Sequence, residues 1–244
     1  MKQPLTRYFV WDKTVRIFHW VNVVCVLGLI AIGTAILNHK ALGVSVDGKI
    51  LLKTVHVYIG YVFAVNLTWR IVWGFIGGHY ARWRAILPFG AEYRDQFSAM
   101  ISGKKSGRPV SFLGHNPIGR LMVALLFLLL SIQAITGLVL AGTDVYMPPF
   151  GNTIKEWIAT DQSTIDSVQP YSKEGVDELA YKEMRAVRKP FITTHYYVFY
   201  ILLAAILLHL LAVVITEIKE RNGIISAMFT GKKVFAEKPV DLDE

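Results

Sequence analysis

His195–His209 reads HYYVFYILLAAILLH, two imidazoles enclosing an uninterrupted run of aromatic and aliphatic side chains. The apolar character extends over about 193–217, enough to cross a bilayer, which takes about 20 such residues. The two histidines are fourteen residues apart. That is close to four helical turns, so they face the same way and stand about 21 Å apart along the axis. The hydrocarbon layer is about 30 Å thick, so one helix would offer an imidazole near each membrane surface. Ionisable groups inside spans are rare and point to function by default.

Working outward, three more segments have the length and character of spans, at roughly 17–38, 51–76 and 116–140, with no proline in their central parts. Hydrophobic residues make up 53% of the 244 and charged residues 18%. That skew, gathered in blocks, implies an all-α membrane protein, a four-helix bundle forming one domain over 1–244. The first apolar run is longer than a secretory signal core and no small-residue cleavage site follows, so it is expected to stay in the mature chain. The single cysteine, Cys25, lies inside the first span. It excludes a disulfide framework, a cysteine zinc site and an iron–sulfur cluster built within this chain.

The net charge of +8 does not indicate nucleic acid, because the bases crowd the short segments beside the spans. Lys2, Arg7, Lys13 and Arg16 precede the first span. Arg82, Arg84, Arg94, Lys104, Lys105 and Arg108 lie in 77–115, and Lys219, Arg221, Lys232 and Lys233 follow the fourth span. The 141–192 loop instead holds eight acids and six bases. The positive-inside rule then puts both termini and 77–115 in the cytoplasm and 141–192 on the outer side of the membrane. Within 77–115, Phe89, Tyr93, Phe97, Met100 and Ile101 recur at helical spacing. They fit a helix lying in the membrane interface or one packed on the bundle. In the outer loop, 173–189 reads as a helix with Ser172 as its cap and Pro190 as its stop.

Four of the seven histidines, His19, His56, His195 and His209, fall inside spans. With this topology His56 and His195 share the outer depth and His19 and His209 the inner depth, giving two facing pairs. A haem iron suits such a pair, since it takes an axial nitrogen on each face and helix bundles house such cofactors. Zinc needs four ligands, and no carboxylate or thiol stands ready to complete either pair. The chain lacks a C-x-x-C-H motif, so the haems would be non-covalent, two haem b. Gly60, one turn from His56, would let a flat porphyrin approach, or serves ordinary small-residue packing. Arg70, fourteen residues after His56, would reach the inner haem's propionates or snorkel to the interface, with Arg16 a weaker candidate of the same kind. His115, opening the third span, could contact a quinone carbonyl or a propionate, or sit at the interface. Trp20 and Trp69 would pack on porphyrin or belong to an aromatic belt. His39 and His79 read as loop residues.

Several stretches carry a family resemblance over nearly the whole chain: VWDKTVRIFHW (10–20), HVYIGYVFAVNLTWRIVWGFIGGHYARW (56–83), GHNPIGRLMVALLFLLLSIQAITGL (114–138) and the segment from His195 to Lys233. Together they resemble the bacterial cytochrome b561 and nickel–iron hydrogenase b-type cytochrome group. The resemblance implies a four-helix core with two b haems, ligand roles for His19, His56, His195 and His209, and electron exchange between the quinone pool and a partner. The outer loop is longer than in compact members of that group. It leaves a hydrogenase, a periplasmic cytochrome c and a dehydrogenase subunit all open as partner. The rival readings are a haem-edge quinone or superoxide oxidoreductase acting alone, a non-redox anchor for a periplasmic subunit, and a histidine-based metal transporter.

Overall fold

The computed structural model describes residues 5–107 and 109–242; Lys2 and Arg108, counted among the bases above, lie outside the described residues. In chain order the elements are β1 (Thr6–Phe9), α1 (Lys13–Leu37), α2 (Val46–Ile76), α3 (Trp83–Ile86), α4 (Ala91–Lys105), α5 (Pro117–Val145), α6 (Gly151–Ile158), α7 (Glu178–Glu220), α8 (Ile224–Thr230) and β2 (Lys232–Phe235). Helices α1, α2, α5 and α7 are long and apolar enough to cross a membrane, and they contain the four expected spans. Val24, Val65, Leu128 and Leu207 on these helices remain exposed, as apolar side chains facing lipid do.

Each spanning helix begins on a side chain that accepts the backbone N–H three residues on. Asp12 Oδ1 takes Val15 at 2.8 Å, Ser45 Oγ takes Gly48 at 3.1 Å, Asn116 Oδ1 takes Gly119 at 2.7 Å and Asp177 Oδ1 takes Ala180 at 2.7 Å. These caps satisfy donors that a helix start leaves unpaired. Pro117, the first residue of α5, has no N–H to leave unpaired there.

Two expectations for the outer loop are corrected. The helix read over 173–189 and the fourth span are one 43-residue helix, α7, with Pro190 inside it. Proline withholds one N–H and presses on the carbonyl four residues back. Pro190 and Ala186 are both exposed, so the carbonyl that loses its helical donor can be solvated, and the helix continues. Ser172 does not cap this helix: its Oγ accepts the Glu174 N–H at 3.1 Å in a local turn, and Asp177 takes the capping role.

The chain divides into two compact units. One comprises the chain up to Trp20, Leu67–Leu129 and the chain from Leu202 onward. Here β1 pairs antiparallel with β2, Thr6 opposite Phe235 and Phe9 opposite Lys232. This small sheet is an addition to the helical expectation. Its core is Val10, Trp11, Val15, Ala81, Leu113, Ala227 and Phe235. The Asp241 carboxylate accepts the N–H groups of Leu113 and Gly114 at 2.6 and 2.8 Å, tying the C-terminal tail to the segment before α5. Buried Arg120 pairs with Glu92 of α4 at 3.0 Å, while Phe89, Phe97 and Ile101 stay exposed.

The other unit comprises Val21–Asn66 and Leu130–Ile201. Ile158, Val168 and Met184, all within 141–192, form its buried cluster. Asp144 of α5 pairs with both Lys53 of α2 and Arg188 of α7, three half-buried charges joining three helices. The ammonium groups of Lys49 and Lys53 lie 5.0 and 5.3 Å from the centroid of the Tyr171 ring.

Candidate functional site

In the unit containing Val21–Asn66, α2 brings His56 to His195 of α7, with ring centroids 6.5 Å apart and planes at 72°. The rings stand edge to face, at the wide end of the range for such pairs. Two metal–imidazole bonds of about 2 Å each would set such centroids roughly 6 Å apart, so the spacing fits a shared metal. Among the described residues no group of three or more His, Cys, Asp or Glu side chains gathers to hold a metal. The pair thus offers two protein nitrogens, the number a haem iron takes beyond its porphyrin. His56 Nδ1 is buried with no hydrogen-bond partner among the described residues. A Cβ built on Gly60 would meet nothing within 4 Å, so open space lies one turn from His56.

Four neighbours of this pair were not singled out from sequence. A Cβ on Gly33 would stand 3.4 Å from His56 Cε1, and one on Gly137 3.4 Å from His195 Cε1. Each imidazole therefore rests against bare backbone of a neighbouring helix. Thr136 Oγ1 lies 2.9 Å from His195 Nδ1, and Gln133 Nε2 donates to the His195 carbonyl at 3.2 Å. Gln133, Thr136 and Gly137 recur at three and four residues, one face of α5. In the sequence they are legible as polar and small residues in SIQAITG, inside an otherwise aliphatic span.

In the unit containing the termini, His19 of α1 and His209 of α7 are near enough to interact electrostatically. Arg70 is only 4% exposed, which rules out snorkelling to water. Its guanidinium carbon lies 5.9, 5.8 and 5.4 Å from the ring centroids of Phe18, Trp83 and Phe127. Nη2 donates to the Ala81 carbonyl at 3.1 Å, while Nη1 is buried without a partner among the described residues. Arg16 Nη1 donates to the Phe229 carbonyl, and its Nε is likewise buried and unpaired.

His115 packs on Trp11 with centroids 4.8 Å apart, and its Nδ1 is shielded without a partner. Burial, followed by the charges of Lys233, Arg70 and Arg120 and by His209, pushes its pKa down to about 3. It is therefore a neutral imidazole at ordinary pH. Trp20 is tied to the C-terminal region, its indole N–H donating to Met228 O at 3.0 Å, while Trp69 stays exposed beside Trp73. His39 lies in the turn after α1, its Nδ1 2.9 Å from the Ile36 carbonyl, and His79 opens a single 3-10 turn. Neither adjoins the paired histidines in sequence.

Four helices long and apolar enough to cross a membrane, with histidines of different spans brought near one another, suit a membrane cytochrome. The chain belongs to the prokaryotic cytochrome b561 family, whose model matches residues 10–231. Membership implies haem b as the cofactor and a bacterial membrane as the location. Relatives carry the name "Probable Ni/Fe-hydrogenase B-type cytochrome subunit". The one from Cupriavidus necator is 23% identical over 235 residues, covering 93% of this chain and 87% of its own. The Rhizobium leguminosarum bv. viciae protein is 24% identical, covering 94% and 90%. A hydrogenase 1 counterpart from Escherichia coli (strain K12) is 30% identical over 145 residues, covering 54% and 60%. No solved structure matches the chain.

Proposed function

We propose that this chain is a dihaem b-type cytochrome carrying electrons between the membrane quinone pool and a periplasmic redox partner, across the bacterial inner membrane. The observation that carries the reading is the 6.5 Å separation of the His56 and His195 rings. These two residues hold the outer haem, and His19 and His209 the inner one, all within one membrane domain over 1–244. When bound, haem supplies one-electron redox chemistry; the chain supplies ligation, orientation and exclusion of water. Arg70 Nη1 and Arg16 Nε are unspent buried donors suited to the propionates of the inner haem. Gly60 leaves room for the porphyrin plane, and the neutral His115 ring can bond a quinone carbonyl or a propionate.

The names of the relatives favour a hydrogenase as partner over a periplasmic cytochrome c or a dehydrogenase subunit. The basic 77–115 segment favours cytoplasmic termini. Lys182, Arg185 and Lys189 on the outer part of α7 are exposed and suit an electrostatically steered encounter. Arg188, on the same stretch of α7, is instead engaged by Asp144.

A pyridine-haemochrome assay is expected to give two haems b per chain. Alanine at His56 or His195 should remove one alpha-band component, and alanine at His19 or His209 the other. Loss of the same component from the His19 and His56 variants would overturn the pairing. A folded preparation without haem would return the anchor and transporter readings.

A further inference from the structure

The two histidines facing each other in the unit of Val21–Asn66 and Leu130–Ile201 are held differently. His56 Nδ1 is buried without a partner among the described residues, whereas His195 Nδ1 lies 2.9 Å from Thr136 Oγ1. A threonine hydroxyl has one proton. In Thr136 that proton is directed to the Ile132 carbonyl at 2.7 Å, with the Gln133 carbonyl a longer second acceptor at 3.3 Å. Toward His195 the hydroxyl oxygen is therefore an acceptor, and Nδ1 must be the atom that carries hydrogen. The tautomer follows, since a neutral imidazole protonated on Nδ1 presents Nε2 as a bare lone pair.

The same helix face holds the rest of His195. Gln133 Nε2 donates to its backbone carbonyl at 3.2 Å, and Gly137 leaves clearance of 3.4 Å from its Cε1 to the position a Cβ would take. Gln133, Thr136 and Gly137 thus orient the residue from backbone to ring tip. No such partner serves His56 Nδ1 among the described residues.

We infer that Thr136 is a positioning residue that sets the tautomer and raises the basicity of His195, so that His56 and His195 would be unequal as ligands of the outer haem. This rests on the dihaem reading above. An outer hydrogen bond to a ligating imidazole strengthens its donation to the metal. Stronger donation favours the ferric state and holds the potential of that haem down. Val at 136 keeps the shape of threonine and deletes the hydroxyl, whereas Ser keeps the hydroxyl.

Redox titration of the purified full chain, followed at the two alpha-band components, tests the inference. In Thr136→Val the outer component is expected to titrate at a higher potential than in wild type, with the inner component unmoved and Thr136→Ser close to wild type. A tenfold loss in preference for the ferric state corresponds to about 59 mV for one electron. Selective loss of the outer haem from the valine variant, with the serine variant keeping it, supports the same role. Serine and valine variants that behave alike, either both unshifted or both losing haem, overturn it. A wild-type chain without haem defeats the functional reading instead, and the wild-type haem count separates the two failures.

Discussion

Lys233 is 2% exposed, and its ammonium has two fixed contacts, a hydrogen bond to the Gly114 carbonyl at 3.0 Å and the Trp11 ring at 5.7 Å. Burial pushes its pKa down from 10.5 to about 8, against the opposing pull of Asp241 and Glu220. Between these values the unfolded chain binds the proton that the folded chain has released, so stability rises with pH across that window. The burden of the buried charge is thus fully present below about pH 8 and relieved above 10.5. In Lys233→Met this contribution is absent. The melting temperature of wild type should climb relative to that variant between pH 8 and 10.5, measured in the same detergent. Parallel profiles would show that Lys233 titrates normally. Arg70 answers burial differently, by lying among Phe18, Trp83 and Phe127, where a weakly hydrated guanidinium is attracted to ring faces.

The junction of α2, α5 and α7 at Asp144 is the clearest case of helices joined by charge. One carboxylate serves Lys53 and Arg188, and all three side chains are mostly shielded. Removing a partner from buried charges costs far more than the pair is worth, because the remaining charges lose compensation. Asp144→Asn should lower stability by about 3 kcal/mol, read as a drop in denaturation midpoint. Adding Lys53→Met and Arg188→Met to that variant should recover much of the loss. A triple variant no more stable than Asp144→Asn would show that packing, not charge, governs the junction. The caps are a second device of this kind. Asp12, Ser45, Asn116 and Asp177 each stand immediately before a spanning helix, and such a cap contributes about 1 kcal/mol.

For the chain as a whole, the distribution of bases predicts the side of the membrane each segment faces. Lys104 in α4 and Lys173 in the 141–192 loop are both exposed, so single cysteines there test that assignment, in a background where buried Cys25 is replaced. Impermeant maleimide on intact cells should label a cysteine at 173 and spare one at 104, and inverted vesicles should reverse the pattern. Labelling of position 104 in intact cells, with 173 protected, would invert the topology.

Much of this architecture is written in local pattern. Spans are legible because the bilayer asks only for length and apolarity, read residue by residue without knowledge of neighbours. The four in-span histidines and the family resemblance needed no coordinates either. The caps in DKTV, SVDG, NPIG and DELA are contacts over three residues, yet the sequence alone points to Ser172 rather than Asp177 for the last of them. What could not be read is what depends on distant segments meeting. Pro190 is a stop signal by local rules, yet α7 runs through it, because the cost of one missing hydrogen bond is small beside 43 residues of continuous helix. The pairing of β1 with β2 joins segments more than 200 residues apart in four-residue strands too short to show a period. Asp144, an ordinary acid in the sequence, becomes a three-helix junction only when α2 and α7 flank it. Thr136 becomes the partner of His195 for the same reason: its hydroxyl proton is committed within its own helix, and only the packing of α7 against α5 places an imidazole at the oxygen that remains.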